Sequence, residues 1–472
     1  MSDRVYLCRP SVLIFDIFGD CAIMHSIALL GWLCKAQGLP SFNIPLKLIT
    51  PKKQPAYLPR SGRADLTSVR RSFINPVLMD SGNRSFWNRD FLLALAGFFF
   101  LFMSISLFFL LPVFLGHLQA RPSRIGLIMG VHSVVAIAVR PFFGRMIDVR
   151  GGRRIALLGL AILVLGVPLF HFVKDAGWLP LALRALTGLG WGIGMTATIA
   201  VCSDLAPVDR LARSMGIIGV GGLVATALGP LLAEEVISRF GFGGLFNASL
   251  LFLFAAGACL VATREIARPE VNGGKAGFGA LRTVPLVTAL VISAMPVFHG
   301  SIRGAMIYFI AVFGKSIQIE RVGAFFLVFS LAAILTRFGM SDLSDRFGRK
   351  AVILPAALII SANLFLISQA RSYPFLILTG FIGGLGQGLI FPALSTYIID
   401  FLGRGHKGLA ISLYLSLFDV GMGLGSPFFG WISDLAGYRK MYMAAGLLLL
   451  VSTAVFMIRA PSTEARIAQG GS

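Results

Sequence analysis

The sequence predicts an all-α integral membrane protein in which twelve transmembrane helices form two pseudo-symmetric six-helix bundles. Composition, long uncharged runs and an internal repeat carry this prediction. Of the 472 residues, 56% are hydrophobic and only 13% are charged, whereas an average soluble domain has about 25% charged residues. A soluble protein of this length could not cover its apolar surface with so few charges, which indicates a membrane protein.

Several stretches of the chain are long enough to cross a bilayer, which takes about 20 mostly apolar residues. No charged side chain occurs in residues 91–116, 241–263, 351–370 and 441–458. Lipid offers the backbone no hydrogen-bond partner, so segments of this kind must be helical. We predict helices at residues 91–116, 123–145, 154–174, 177–203, 213–237, 241–263, 284–313, 320–341, 351–370, 374–399, 408–433 and 439–458.

The formal net charge of +21 indicates loop charge rather than a nucleic-acid surface, because Lys and Arg collect on the cytoplasmic side of membrane proteins. With both termini inside, fifteen Lys and Arg residues fall in cytoplasmic loops and nine on the opposite side. We therefore expect a multi-pass protein of the bacterial inner (plasma) membrane with both termini cytoplasmic.

The predicted helices divide the chain into five parts. Residues 1–78 do not conform to the pattern, because Asp16, Asp20 and His25 interrupt their apolar run. We expect them to be disordered or to precede the true start. The other parts are an N-terminal bundle at 79–263, a cytoplasmic central loop at 264–283, a C-terminal bundle at 284–460 and a cytoplasmic tail at 461–472.

An internal repeat relates the two bundles. Three pairs of residues lie 197 positions apart: Arg140 and Arg337, Asp148 and Asp345, Gly151 and Gly348. An offset of 196, caused by the extra Gly152, relates four more pairs: Gly188 and Gly384, Gly190 and Gly386, Gly192 and Gly388, Asp204 and Asp400. Two motifs in register with one insertion between them indicate that the halves are structural copies.

The segment Gly144-Arg-Met-Ile-Asp148-Val-Arg-Gly-Gly-Arg153-Arg154 and its second copy resemble the hallmark motif of the major facilitator superfamily. The resemblance covers about residues 88–460, and the copies depart from the motif at Val149, Gly152 and Ser341. We predict that the motif forms a conformational latch that breaks when the cytoplasmic side opens, because its Asp can face a helix dipole or a basic side chain. The predicted latch residues are Gly144, Asp148, Arg153, Arg154, Asp345, Arg346, Gly348, Arg349 and Lys350.

Arg184 lies in the fourth predicted helix ahead of Gly188-Leu-Gly190. This resembles a superfamily pattern whose arginine is associated with proton coupling. An arginine inside an apolar span marks a pathway or a counter-charge, although snorkelling to the outer interface would also explain it. The repeat counterpart is Gly380, so we expect this charge in only one half.

Asp419 lies midway along the eleventh predicted helix, and His299 and Arg303 lie one turn apart on the seventh. A desolvated carboxylate favours its protonated form, so Asp419 is either a proton site or the static partner of a basic side chain. Histidine titrates near neutral pH, and Arg303 can hold an anionic group with two hydrogen bonds. We predict that Arg184, Asp419, His299 and Arg303 form the substrate and proton pathway.

The fifth predicted helix contains Ala225-x-x-x-Gly229-Pro230, a partial match to a helix-bend motif that the resemblance links to exporters. The resemblance therefore implies a secondary transporter. The first hypothesis is proton-coupled efflux of a small organic molecule. The alternatives are a proton symporter for a sugar or organic acid, a membrane-embedded enzyme and a transporter-like sensor. Enzyme motifs and ATP-binding motifs are absent from the sequence.

We expect no cofactor, and the spacing of the five cysteines predicts no metal site. The expected partners are the bilayer, the substrate and protons, without nucleic acid, and we expect a monomer.

Overall fold

The computed structural model describes residues 88–206, 211–265, 285–340, 343–402 and 407–461. The predictions for residues 1–78, for most of the central loop and for most of the C-terminal tail lie outside these ranges. The helices of the first half are α1 (Arg89–His117), α2 (Pro122–Arg150), α3 (Gly152–Phe172), α4 (Trp178–Leu205) and one long helix, Leu211–Ala262. Those of the second half are α7 (Leu286–Ser316), α8 (Gly323–Gly339), α9 (Arg349–Gln369), α10 (Tyr373–Leu402) and a second long helix, Lys407–Arg459.

Each long helix contains one residue with non-helical backbone angles, Gly241 (φ 66°) and Gly437 (φ 80°). We call the parts before and after Gly241 α5 and α6, and those before and after Gly437 α11 and α12. A short helix, Leu343–Phe347, separates α8 from α9. Proline also shapes the ends of spans: α1 has a 3-10 turn at Phe108–Leu110 just before Pro112, and α3 ends in another at Pro168–Phe172, since a proline ring cannot continue a regular α-helix.

Positive backbone φ angles confirm the predicted repeat. In the described part of the chain, six residues have φ above zero, and they form three pairs with offsets of 199, 197 and 196 residues: Gln119 and Gln318, Gly151 and Gly348, Gly241 and Gly437. These residues lie at corresponding helix junctions. The two halves therefore share their turns as well as their motifs.

The described ranges contain nine helices that are long and apolar enough to cross a membrane. Two of the nine are about 50 residues long, and the shorter apolar helix α8 has 17 residues. The protein is therefore an all-α multi-pass membrane protein, as predicted. The count of twelve crossings remains a prediction, and it requires each long helix to cross twice and α8 to cross once.

The repeated glycine triplet positions α4 and α10 within their halves. A Cβ added at Gly188 or Gly192 would lie within 3 Å of the α2 backbone, and one at Gly190 would lie 2.9 Å from the α3 backbone. The second triplet repeats the arrangement, because Gly384 and Gly388 face α8 and Gly386 faces α9. Small residues let membrane helices pack this closely, so the triplet acts as a two-sided packing surface.

The two halves meet mainly through α2 with α11 and α5 with α8. Gly126 and Gly130 of α2 lie against the backbone of Ser426 and Gly423 in α11. A Cβ added at Gly323, at the start of α8, would lie 2.9 Å from the backbone of Leu231 in α5. These close contacts lie towards the N-terminal ends of α2 and α8, so the halves are held together at that end of the helices.

Replacing Gly437 tests the α11–α12 junction. A Cβ there would meet no atom within 4 Å, so any loss of stability comes from the backbone angle. We expect Gly437→Ala to destabilise the protein by about 1–3 kcal/mol. The matched control is Gly257→Ala in α6, which also has open space and should gain about 0.5–1 kcal/mol. Thermal unfolding in detergent measures both; a stable Gly437→Ala protein would contradict the assigned junction.

Candidate functional site

Arg184 is buried inside the first half, with 2% of its surface exposed. Its side chain lines a pocket enclosed by α1, α3 and α4. Its guanidinium lies 5.9 Å from the ring centre of Phe108, and its Nε and one terminal nitrogen have no hydrogen-bond partner among the described residues. The position is too deep for snorkelling, and the unpartnered N–H groups are available to a ligand.

Arg303 occupies a similar pocket in the second half. It is 8% exposed and lies 4.5 Å above the ring of Phe329. One of its terminal nitrogens has no partner in the described part of the chain. The pocket is enclosed by α7, α8, α9 and α10, and its polar lining includes Asn363 and Gln387.

The two pockets lie at corresponding places in the repeat. Three lining pairs share the 196-residue offset: Val167 and Asn363, Thr187 and Gly383, Trp191 and Gln387. Ser104 and Arg303 are separated by the 199-residue offset of the first-helix turns. At the repeat position of Arg184 the charge occurs in only one half, since Gly380 replaces it in α10. The corresponding pocket nevertheless contains a buried arginine, because α7 supplies Arg303.

Asp419 forms an ion pair with Arg140, which joins α11 of the second half to α2 of the first. The two side chains are 20% and 21% exposed, so water reaches the pair only partly. The predicted pathway residue Asp419 therefore has a basic partner, and that partner belongs to the repeated motif. Arg337, the repeat counterpart of Arg140, instead lies 5.1 Å from the ring centre of Phe391.

Tyr308 of α7 lies at the centre of this arrangement and is 4% exposed. Its hydroxyl faces Ser133 of α2 and is within electrostatic range of Arg184, Arg303 and Asp419. Tyr308 was not among the predicted pathway residues.

His299 is packed rather than free. Its Nε2 lies 3.0 Å from the Gln387 side-chain oxygen, and its Nδ1 lies 3.3 Å from the Tyr414 hydroxyl. A neutral imidazole with the proton on Nε2 satisfies both contacts. His299 therefore joins α7 to α10 and α11, and the structure places Arg303, but not His299, with an unpartnered polar group.

The predicted latch residues of the first half make contacts within that half. Arg153 donates a 2.8 Å hydrogen bond to the Thr263 carbonyl at the end of α6, and Arg154 forms an exposed 3.3 Å ion pair with Glu265. A basic side chain at a helix C-terminus satisfies free carbonyl groups. Among the described residues, no atom lies within 4 Å of a Cβ added at Gly144.

The second copy repeats this arrangement. Lys350 donates to the carbonyl groups of Met457, at 3.2 Å, and Ala460 at the end of α12. Arg349 forms a 2.8 Å ion pair with Asp400, whose side chain is 4% exposed. Asp148 and Arg346 are exposed. Gly348 is the positive-φ counterpart of Gly151, and the side chain of Asp345 lies outside the described part of the structure.

A set of polar contacts that the sequence did not reveal joins the halves near the other end of the helices. Glu234 of α5 accepts hydrogen bonds of 2.5 and 2.7 Å from the backbone N–H groups of Val322 and Gly323, and so caps α8. Lys315 contacts His117 at 2.7 Å. The Ser123 N–H donates to Asp434 at 3.2 Å. Glu234 was not among the predicted site residues.

The helix-bend residues lie on the same helix as Glu234. A Cβ added at Gly229 would overlap Ser106 of α1, and Pro230 lies inside α5. Pro427 lies inside α11, 197 residues further on. The glycine therefore allows α5 to approach α1 closely within the first half.

A family model described as Major Facilitator Superfamily matches residues 93–327 and 299–472. The chain belongs to the Major Facilitator Superfamily. It is therefore a membrane transporter and not an enzyme. The two matches overlap at residues 299–327 and together cover both halves of the repeat.

Individual superfamily members are similar to this chain at low identity. The multidrug resistance protein MdtG of Enterobacter lignolyticus is 26% identical over 340 residues, which is 69% of this chain and 79% of that protein. The staphylopine export protein of Staphylococcus aureus is 22% identical over 369 residues, or 74% of this chain and 90% of that protein. The crystal structure of a bacterial homologue of the human lysosomal transporter Spinster, inward-facing and unoccupied, has a TM-score of 0.68 at 16% identity and covers 80% of this chain and 97% of that one.

A double-mutant cycle tests the ion pair in this superfamily member. Arg140→Gln and Asp419→Asn each leave one half-buried charge unmatched, whereas the double variant removes both. We expect a coupling free energy of about 1–3 kcal/mol in thermal unfolding. The control cycle uses the exposed pair of Arg239 and Glu235, for which about 0.5 kcal/mol is expected. A coupling free energy near zero would show that Arg140 and Asp419 do not interact in the folded protein.

Proposed function

We propose that this superfamily member is a proton-coupled exporter of a small organic molecule that works by alternating access. The ion pair between Arg140 and Asp419 carries the proposal, because it joins the two halves through a carboxylate that water partly reaches. The names of the two relatives, one a multidrug resistance protein and one an export protein, support export as the direction.

The contacts between the halves support a two-state mechanism. With the orientation expected from the loop charges, the contacts of Glu234, Lys315 and Ser123 lie on the outer side. Gly144 lies towards the cytoplasmic side and has no neighbour at its Cβ position. This conformation is then closed outside. Rocking of one half against the other would break the outer contacts and bring the cytoplasmic ends together.

Asp419 gives this motion a proton dependence. Protonation of its carboxyl removes the negative charge that Arg140 faces and leaves a guanidinium without a counter-charge between the halves. An unmatched, partly buried charge is unfavourable, so protonation destabilises the conformation that contains the pair. Asp419 would thus bind a proton from outside and release it inside. This proton movement would drive the change of conformation that carries substrate out of the cell.

The predicted latch has a place in the same cycle. Arg153 and Lys350 hold the ends of α6 and α12 in each half, which fixes the helices that carry the motif. Gly144 would then contact the opposite half only when the cytoplasmic ends close. The open space at its Cβ position among the described residues supports this order of events.

Replacing Asp419 tests the coupling. Asp419→Asn imitates the protonated carboxyl, so inverted vesicles with an imposed proton gradient should lose gradient-driven accumulation of a transported compound while counterflow exchange continues. The measurement is proton flux per substrate in proteoliposomes. Glu235→Gln on the exposed face of α5 is the control and should behave as wild type. Wild-type accumulation by Asp419→Asn would place the proton site elsewhere, and accumulation only in right-side-out vesicles would indicate uptake.

Enlarging Gly144 tests alternating access. A Cβ at Gly144 has no described atom within 4 Å in this conformation, so Gly144→Leu should change thermal stability by less than about 0.5 kcal/mol. If α2 must approach the opposite half, the added side chain raises the free energy of the other conformation by about 1–3 kcal/mol, which lowers its population about 5–150-fold. Transport should fall accordingly. Gly257→Leu, also open in this structure, is the control, and equal transport by the two variants would contradict the mechanism.

A further inference from the structure

The helical core carries more positive than negative charge. Arg184, Arg303 and Arg337 each have at least one guanidinium nitrogen that is buried and without a hydrogen-bond partner among the described residues. The carboxylate that faces the centre of the interface, Asp419, is already paired with Arg140. Buried guanidinium groups without a counter-charge are unfavourable, so a protein retains them where an anion completes the site.

The two deepest of these arginines lie in corresponding pockets of opposite halves. The sequence does not require this, because Arg184 comes from the fourth helix of its half and Arg303 from the first helix of the other. Each guanidinium lies beside an aromatic ring, Phe108 in one pocket and Phe329 in the other. Both pockets therefore present the same chemistry, unpartnered N–H donors next to an apolar wall.

Tyr308 lies near both pockets. Its hydroxyl is within electrostatic range of both Arg184 and Arg303 and faces Ser133 of the other half. A ligand that lies beside this hydroxyl and carries an acidic group at each end would therefore extend towards both guanidinium groups.

We propose that the substrate is an organic anion with two acidic groups, one held by Arg184 and the other by Arg303. The proposal rests on transport by alternating access and names the substrate class of that site. Arginine holds carboxylate or phosphate groups through paired hydrogen bonds, and one dianion would neutralise both buried charges. Arg337 interacts electrostatically with Arg303 and adds to the positive potential that attracts anions and repels cations.

Binding by the purified full-length protein in detergent, without a proton gradient, tests the proposal. The probes are the α,ω-dicarboxylates malonate, glutarate and suberate, the monocarboxylate butyrate, and the lipophilic cation tetraphenylphosphonium. A ligand that binds the folded protein raises the unfolding temperature by an amount that grows with the ratio of its free concentration to its Kd. We expect stabilisation by dicarboxylates with an optimum chain length, and little or none by butyrate or the cation.

Substitution of each arginine separates binding from folding. Arg184→Gln and Arg303→Gln should each weaken dicarboxylate binding about 10–100-fold and at the same time raise the unfolding temperature of the ligand-free protein, because a buried unmatched charge is lost. An arginine with only a structural role would lower that temperature. Arg303→Lys should retain part of the affinity. The control Arg239→Gln, exposed on α5, should change neither quantity.

Several outcomes would overturn the proposal. These are stabilisation by tetraphenylphosphonium but not by dicarboxylates, equal stabilisation by butyrate and the dicarboxylates, no stabilisation by any dicarboxylate, and unchanged affinity in both glutamine variants. The result is independent of proton coupling. Asp419→Asn protein that binds dicarboxylates but does not accumulate them would support both proposals, whereas wild-type protein that binds them and transports without a proton gradient would contradict the coupling alone.

Discussion

Inside lipid, every backbone N–H and C=O group needs a hydrogen-bond partner, and this requirement governs the structure. Since only a helix meets that need within its own segment, the described chain is helical almost throughout, and its positive φ angles are confined to six junction residues. The junctions fix where each helix begins and ends. They therefore also fix the depth at which Arg184, Arg303 and Asp419 enter the core.

Close backbone contact gives each half its rigidity and leaves the boundary between the halves more adaptable. Within a half, Gly188 and Gly384 bring helix backbones together where any larger residue would collide. Across the boundary, close contacts of this kind are found at Gly126 and Gly130, while Gly144 on the same helix has none. A surface that is tightly packed at one end and open at the other is suited to tilting, since one set of contacts can be exchanged for another.

Sequence patterns predicted the fold well because its main constraints are local or periodic. Uncharged runs located most helices to within a few residues, and the offsets that relate Arg140 to Arg337 located the two halves. The helix breaks at 237–241 and 433–439 were predicted as short loops, whereas the structure turns at the single residues Gly241 and Gly437. One glycine with positive φ interrupts the helix without a separate loop.

The site was predictable only in part, since its pairings are separated widely in sequence. Burial of Arg184 and Arg303 followed from their position in apolar spans. The ion-pair partner of Asp419 could not be predicted in this way. Arg140 lies 279 residues away, and the sequence identified it only as part of the repeated motif. His299 was expected to be a candidate proton group, but whether a histidine is free depends on neighbours such as Gln387 and Tyr414 that no local pattern shows.

The two arginine pockets show how a duplicated protein can diverge without losing symmetry of charge. After duplication of a six-helix ancestor, selection would act on the electrostatic potential inside each pocket and not on which helix supplies it. An arginine on one helix can then be lost once a neighbouring helix provides a guanidinium to the same space. An alignment of the two halves by sequence position would show two separate differences. Arg184 is aligned with Gly380, and Ser104 is aligned with Arg303. The pockets themselves show one common feature, a buried arginine in each half that comes from a different helix.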